Sequence, residues 1–462
     1  MKTTTTTTIK TTRKLASLLL APLALAAMLL ANHARAQQTA PAPLTTEQRL
    51  SKLESEVNAL RQENQQLRAS TAAAAPLLKF FPGLTSLAFA GDMRMRYEYK
   101  QGTAAAPDPN AGDHYDMNRY RYRLRLGLSG KVAGGWFFGA RIESSSNNRS
   151  TNVTMGSYGS TGGKAAGNTI YVGQANIGWA NQDFTFTAGR MANPFVYTQF
   201  LNWSDDLNVE GLAEQWKHDF GGFSLFANLA QLIYISNGGV VNAIRPAAGV
   251  PTTFLFGTQI GARVKLAGGR MSLQAAPVYY GYSNDARRLM ASLPASPNSP
   301  NLQTVGLQIL SVPVEFGLPP IAGGKIPAKI FGDFAINLAA NTRARAAGFP
   351  DKKNQNNAWQ LGAAIGQTKN KGDWELRAFY QSTGAFALDP NLLDLSQFDA
   401  RTNMKGCTAM ATYAVTTNVS VKLSYFNGQR KDAALPTYGA ADINTAYLGR
   451  NNALQADLAI KF

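Results

Sequence analysis

"RYRYRLRLGL", residues 119–128, alternates without a break: arginine at 119, 121, 123 and 125, tyrosine or leucine at 120, 122, 124, 126 and 128. A period of two is that of an extended strand, whose successive side chains point to opposite faces. One face of this strand is cationic and the other is apolar. Such a strand needs water on one side and an apolar medium on the other. Its flanks repeat the pattern. "LAFAGDMRMRYEY" puts Asp92, Arg94, Arg96 and Glu98 on one face, and "GWFFGARIESS" does the same with Arg141 and Glu143.

From about Leu87 to Phe462 the period stays at two, and sixteen strand candidates can be marked, an even number. The links between them sort by length. "KVAG", "NQ", "FG", "AGG", "NKG" and "VTT" are short, and the link around "GLPPIAGGKIP" is longer but compact. The alternate links are all long, at about 100–117, 146–168, 191–208, 236–253, 284–301, 341–356, 384–403 and 429–452. Short turns on one side and long loops on the other are the pattern of an outer-membrane barrel, which a soluble sandwich does not show. The fold class read here is all-β, a sixteen-stranded antiparallel transmembrane β-barrel.

The aromatics support the same strand directions. Tyr97, Tyr99, Tyr120, Tyr122, Tyr279, Tyr280 and Trp359 fall at the outer rim, and Trp136 and Trp179 at the periplasmic rim. The last strand alternates Leu454, Ala456, Leu458, Ile460 and Phe462, with a terminal aromatic of the kind read by the outer-membrane insertion machinery. An arginine facing lipid near mid-depth costs roughly 2–4 kcal/mol. The pore-lining basic residues are therefore Arg94, Arg96, Arg119, Arg121, Arg123, Arg125 and Arg141. Like charges about 6.6 Å apart along a strand call for water or acidic partners. The third long loop, "MANPFVYTQFLNWSDDLNVEG", offers Asp205, Asp206 and Glu210. Either it folds into the lumen, narrows it and sets carboxylates against part of the arginine wall, or these acids cap the loop at the surface.

Ahead of the barrel, "MKTTTTTTIKTTRK", an apolar run and "ARA" at 34–36 read as a signal peptide over residues 1–36. Removing its five basic residues takes the formal charge from +17 to +12. Export argues against nucleic acid as the partner of that charge. After a linker at 37–46, Leu50, Leu53, Val57, Leu60, Asn64 and Leu67 form an a/d seam. Arg49, Glu56 and Glu63 at g meet Glu54, Arg61 and Arg68 at e, opposite in sign each time, as a parallel self-association requires. Residues 47–70 thus read as a periplasmic coiled coil. Three heptads are too short to hold chains together alone. A second linker, 71–84, leads to the barrel at 85–462.

No GxSxG, HExxH or Walker loop occurs, and the three histidines are far apart, so neither an enzyme, a metal site nor a cofactor is expected. His218 reads as a lumen or rim histidine, and the single cysteine, Cys407, as packing.

"FTFTAGRMANPF…LNWSDDLNVEGLAEQW", with its "GR…NPF" turn before "W-x-D-DL-x-x-EGL", resembles the outer-membrane "putative porin" families. "NKGDWELRAFYQ" and "FDARTNMKGCTAMATYAVTTNVSVKLSYF" are similar to their late hairpins. The phosphate-selective and general bacterial porins look like relatives. The resemblance implies a passive channel, commonly a homotrimer, with a short N-terminal coiled coil, set in outer-membrane lipid and lipopolysaccharide. The expected function is passive diffusion of small hydrophilic solutes across the outer membrane of a Gram-negative bacterium, with anion preference from the arginine ladder. The alternative is a structural protein that tethers the membrane to the cell wall through residues 47–70.

Overall fold

The computed structural model describes residues 83–145, 150–156, 169–235, 252–283, 304–439 and 442–462. The expected signal peptide, the first linker and the coiled coil lie outside them. Sixteen strands cross the sheet: β1 (Leu84–Ala104), β2 (His114–Val132), β3 (Trp136–Ser145), β4 (Thr169–Ala180), β5 (Phe184–Ala192), β6 (Asn208–Asp219), β7 (Phe223–Ile235) and β8 (Thr253–Leu266). Then come β9 in two pieces (Met271–Ala275 and Val278–Tyr282), β10 (Gln308–Pro320), β11 (Ile326–Asn337), β12 (Asn357–Gly366), β13 (Trp374–Thr383), β14 (Met404–Ala414), β15 (Val419–Arg430) and β16 (Leu448–Lys461). A two-residue strand, Val153–Thr154, pairs with β2 beside the β3–β4 loop.

Each strand pairs antiparallel with the next, and β16 returns to β1 in the register Asp92↔Lys461 through Tyr99↔Leu454. The sheet is a closed barrel without a free edge. The β1–β2 register sets Asp92 opposite Arg125, Arg94 opposite Arg123, Arg96 opposite Arg121 and Glu98 opposite Arg119, so all eight share one face. Their neighbours Met93, Met95 and Tyr120 are exposed on the other face. Leu361, Leu376, Leu423, Leu458 and Ile460 are exposed likewise on later strands. These are the large apolar residues a soluble fold would bury, and they form an outward apolar surface.

Two sequence expectations change. Tyr280 does not join the outer girdle: Tyr279 is exposed, but Tyr280 is 3 % exposed and turned inward, because neighbours on a strand take opposite faces. The "GLPPIAGGKIP" link is tighter than expected, with β10 running to Pro320 and one helical turn, Ile321–Gly324, joining it to β11.

Candidate functional site

β5 and β6 part after the pair Ala192↔Asn208, and the loop between them, residues 193–207, crosses the barrel interior. Backbone groups that leave a sheet and enter an interior must find new partners. Here inward-facing side chains of the far wall supply them. The Val196 amide donates to Gln259 Oε1 of β8, and Gln259 Nε2 donates back to the Val196 carbonyl, both at 2.8 Å. Gln360 of β12 and Gln381 of β13 donate to the carbonyls of Gln199 and Phe200 at 3.1 and 3.3 Å. Asn202 Nδ2 donates to Ser311 Oγ of β10 at 2.6 Å. Aromatic contacts fix the rest. Phe195 and Trp203 meet Tyr280 edge-on, while Phe200 stacks on Phe379 at 5.7 Å and abuts Phe426. Gly257 makes room for this loop, since a Cβ there would fall 2.0 Å from the Phe195 ring.

A second connection, residues 384–403, also lies inside. Ser204 of the first loop donates its amide to the Leu392 carbonyl at 2.8 Å, and Tyr234 and Tyr282 donate to Asp389 at 2.6 and 2.8 Å. Phe398, Asp399 and Ala400 take positive φ of 54–58°, a costly run for residues with a Cβ. Buried polar contacts hold it. Lys100 Nζ donates to Asp399 Oδ1 at 2.9 Å, Arg401 bonds Thr437 and the Ile443 and Thr445 carbonyls, and Asn403 Nδ2 reaches the carbonyls of Asp432, Leu435 and Pro436. The "D-x-x-T-N" run therefore ties this loop to the connection before β16.

Between these loops and the β1–β2 wall a cavity of about 400 Å³ remains, lined by nine basic and six acidic side chains. Six of the seven arginines expected to line the pore border it, and the structure pairs most of them. Arg96 holds Asp457 through two bonds of 2.6 and 2.7 Å. Arg125 and Arg123 share Asp92 at 2.6 and 2.7 Å, and Arg123 also reaches Asp206 at 3.3 Å. Arg119 bridges Glu98 and Asp442, Lys100 meets Asp442 at 2.8 Å, and Arg121 lies 3.6 Å from Glu98. Arg94 meets Asn152 and lies 3.9 Å from Asp457. Arg141, outside the cavity, pairs with Glu143 at 3.0 Å.

The expected acidic side is corrected in two places. Asp206 faces the ladder, but Asp205 does not: it accepts from the Tyr197 hydroxyl at 2.8 Å and from Gln199. Glu210 is not a loop residue at all. It sits on β6, on the outward face, 2.6 Å from Arg190 of β5. The period of two decides this, because Gln215 of β6 bonds the Pro194 carbonyl inside the barrel and even-numbered neighbours must point out.

Burial raises the Asp206 carboxyl, and Arg123 with the neighbouring arginines more than reverses that, leaving it below the usual carboxylate range. At Asp442 burial is likewise outweighed by Lys100 and Arg119. Asp205 goes the other way. Its place deep in the barrel raises it, the carboxylates of Asp394 and Asp206 add to that, and its two hydrogen bonds only partly offset the rise.

Reading the sequence missed Lys422, Lys461 and Asp457. All three are polar alternates in "VSVKLSYF" and "ALQADLAIKF", legible by the same period that exposed the ladder. Lys422 and Lys461 line the cavity and are not among the ion pairs within 4 Å, although Lys422 stands opposite Asp457 and feels its charge. His218 stands at the short-turn end of β6, 3.1 Å from Asp183, and Cys407 is exposed on β14. No group of three potential metal ligands occurs among the described residues.

A family described as "Putative porin" matches residues 52–306, more than half of the chain. The chain belongs to that porin family. Among solved structures, Pseudomonas putida OprB at high pH is similar over 83 % of this chain and 96 % of its own, at 10 % identity and a TM-score of 0.48. Salmonella typhi OmpF in complex with daunomycin is similar over 82 % and 98 %, at 12 % identity and 0.43. A mutant of the Rh. blastica porin is similar over 82 % and 100 %, at 13 % identity and 0.39. No curated protein matches by sequence. Within this porin, two loops narrow the lumen and leave a charged cavity against the β1–β2 wall.

Proposed function

We propose that this porin forms a water-filled channel in the outer membrane for passive diffusion of small hydrophilic solutes, with a preference for anions. The observation that carries the reading is the excess of nine basic over six acidic side chains around the cavity left by the inward loops. Rings of charge set ion preference in pores. The sequence expectation placed that preference in the arginine ladder. The ion pairs support a different division of labour. The ladder, neutralised at almost every step, braces the wall and the loops, and the excess charge rests on Lys422, Lys461 and Arg94. Purified protein in a planar bilayer under a potassium chloride gradient tests the reading. The reversal potential is expected to have the sign of anion preference, and a clear cation preference overturns it. No conductance in repeated insertions of folded protein overturns the channel itself.

A further inference from the structure

A second polar cavity, of about 560 Å³, lies away from the arginine ladder, enclosed by β5–β9. Pro194, Phe195 and Val196 of the inward loop roof it, and Gln215 of β6 pins that roof by donating to the Pro194 carbonyl at 2.9 Å. It opens towards the short turns, where Gln182 and Asp183 of the β4–β5 link border it. Its inward side chains are those a wet wall selects: Lys217 and Asp219 on β6, Ser224 and Asn228 on β7, Arg263 and Lys265 on β8. Phe226 breaks the pattern. It stands inward on β7 between Ser224 and Asn228 and is half-buried. Its ring lies over Gly261 of β8, where a Cβ would fall 2.1 Å from it. It belongs to none of the apolar clusters that anchor the loops, and it meets no other ring among the described residues.

Two cations flank that ring. The register sets Lys217 directly beside Phe226, and Arg263 diagonally beyond Gly261, opposite Ser224. Direct neighbours on one face stand about 5 Å apart and diagonal ones about 7–8 Å, within reach of long side chains. Both cations are exposed, and neither has an ion-pair partner among the described residues. The acids nearby are engaged. Asp183 lies 3.1 Å from His218, and Asp219 accepts the Gly221 amide at 2.7 Å. Lys265 donates to the Gly221 carbonyl at 3.3 Å. An apolar face in a wetted wall costs free energy until something apolar covers it. A second ring covers it well, offset or edge-on. Cations on either side add charge-assisted hydrogen bonds to an oxyanion. An aliphatic acid would satisfy the cations and leave the ring wet, and a neutral aromatic would do the reverse. We propose that this cavity binds small aromatic carboxylates, with the ring on Phe226 and the carboxylate between Lys217 and Arg263. The proposal does not depend on the ion preference of the pore, and binding is measured without a current.

Saturation-transfer NMR on the full-length protein in detergent micelles tests the site, with benzoate, benzamide and acetate as probes and empty micelles as blank. Benzoate is expected to bind, and benzamide and acetate to bind about tenfold more weakly. Phe226→Leu keeps an apolar side chain over Gly261 and is expected to weaken benzoate by roughly three- to tenfold. Arg263→Gln with Lys217→Gln changes only exposed groups and is expected to weaken it by about tenfold. Circular dichroism establishes that each variant keeps its barrel. Benzamide binding as well as benzoate means apolar partition without recognition of charge, and overturns the proposal. Acetate binding as well as benzoate takes the ring out of the recognition and overturns it too. A third overturning result is loss of benzoate in Lys422→Gln with Lys461→Gln while the Phe226 and Arg263 variants bind as wild type does, which places the anion in the cavity beside the ladder. Benzoate that shows no saturation above the blank overturns the site outright and leaves the channel to the bilayer measurement.

Discussion

Asp399 stands where two loops and one strand meet, accepting from Lys100 at 2.9 Å while lying 3.3 Å from Arg401, all three fully buried. Removing one member of a buried ionic network leaves its partners charged and undersolvated, which costs about 3–5 kcal/mol. Asp399→Ala is therefore expected to lower stability by that order in urea unfolding from micelles, with the connection before β16 losing protease resistance first. Asp442 shares the same lysine and makes the network acid-sensitive. Its carboxyl is held below the usual range, so the stability it contributes is fully present above the ordinary aspartate pKa of about 4. That contribution fades only as pH falls further, through the depressed value in the folded protein. Asp442→Asn should thus lower stability at neutral pH and leave a weaker dependence on acid below about pH 4, followed by tryptophan fluorescence. Asp205 titrates in the opposite sense. Being raised, it takes up a proton before the free carboxylates do as pH falls, and the cavity becomes more positive. Anion preference is expected to increase as pH is lowered from 7 towards 4, and Asp205→Asn should remove that step. A reversal potential that changes identically in wild type and variant would assign the step to another group.

At the scale of the element, the inward loop at 193–207 decides how wide the path is. Phe200 and Gln199 border both the cavity of about 400 Å³ and a neighbouring one of about 200 Å³. The Phe200 ring, clasped by Phe379 and Phe426, is a partition between them. Phe200→Ala is expected to merge the two spaces, raise single-channel conductance and cost about 3 kcal/mol of stability. Unchanged conductance would move the limiting section away from this loop. Much of the element's placement was legible beforehand. Link lengths gave the strand directions, but the acids and aromatics of "VYTQFLNWSDD" suited a surface loop as well as an inward one. What the sequence hid was pairing across distance. Asp205 and Asp206 are adjacent, yet backbone geometry aims one at Tyr197 and the other at Arg123. Glu210 was grouped with the loop acids although the strand pattern already begins at Val209, and the strand's period of two, not its nearness to Asp205 and Asp206, sets its face. The inward course of residues 384–403 left no trace in periodicity, since positive φ at Phe398, Asp399 and Ala400 follows from tertiary contacts rather than local preference.

At the scale of the whole molecule, the question is which charges an ion meets. A guanidinium bonded to a carboxylate within 3 Å presents a dipole, and at physiological salt its field is screened within about 8 Å. An unpaired ammonium in the same cavity keeps its full charge available to a passing anion. Removing both members of a pair should then leave selectivity nearly as it was, because the net charge of the lumen does not change. Arg96→Gln with Asp457→Asn makes that removal at the tightest pair of the ladder. Lys422→Gln with Lys461→Gln takes two charges from the excess of nine over six instead. At about 6 Å in water each such charge is worth roughly 0.7 kcal/mol to a monovalent anion, or about threefold in preference before screening. The lysine double variant is expected to lower the anion-to-cation permeability ratio by about that factor or more. The pair variant is expected to keep the wild-type ratio. The opposite outcome, with the pair variant losing selectivity and the lysine variant keeping it, would return the selecting role to the arginine ladder and leave the two lysines as solvation of the cavity wall.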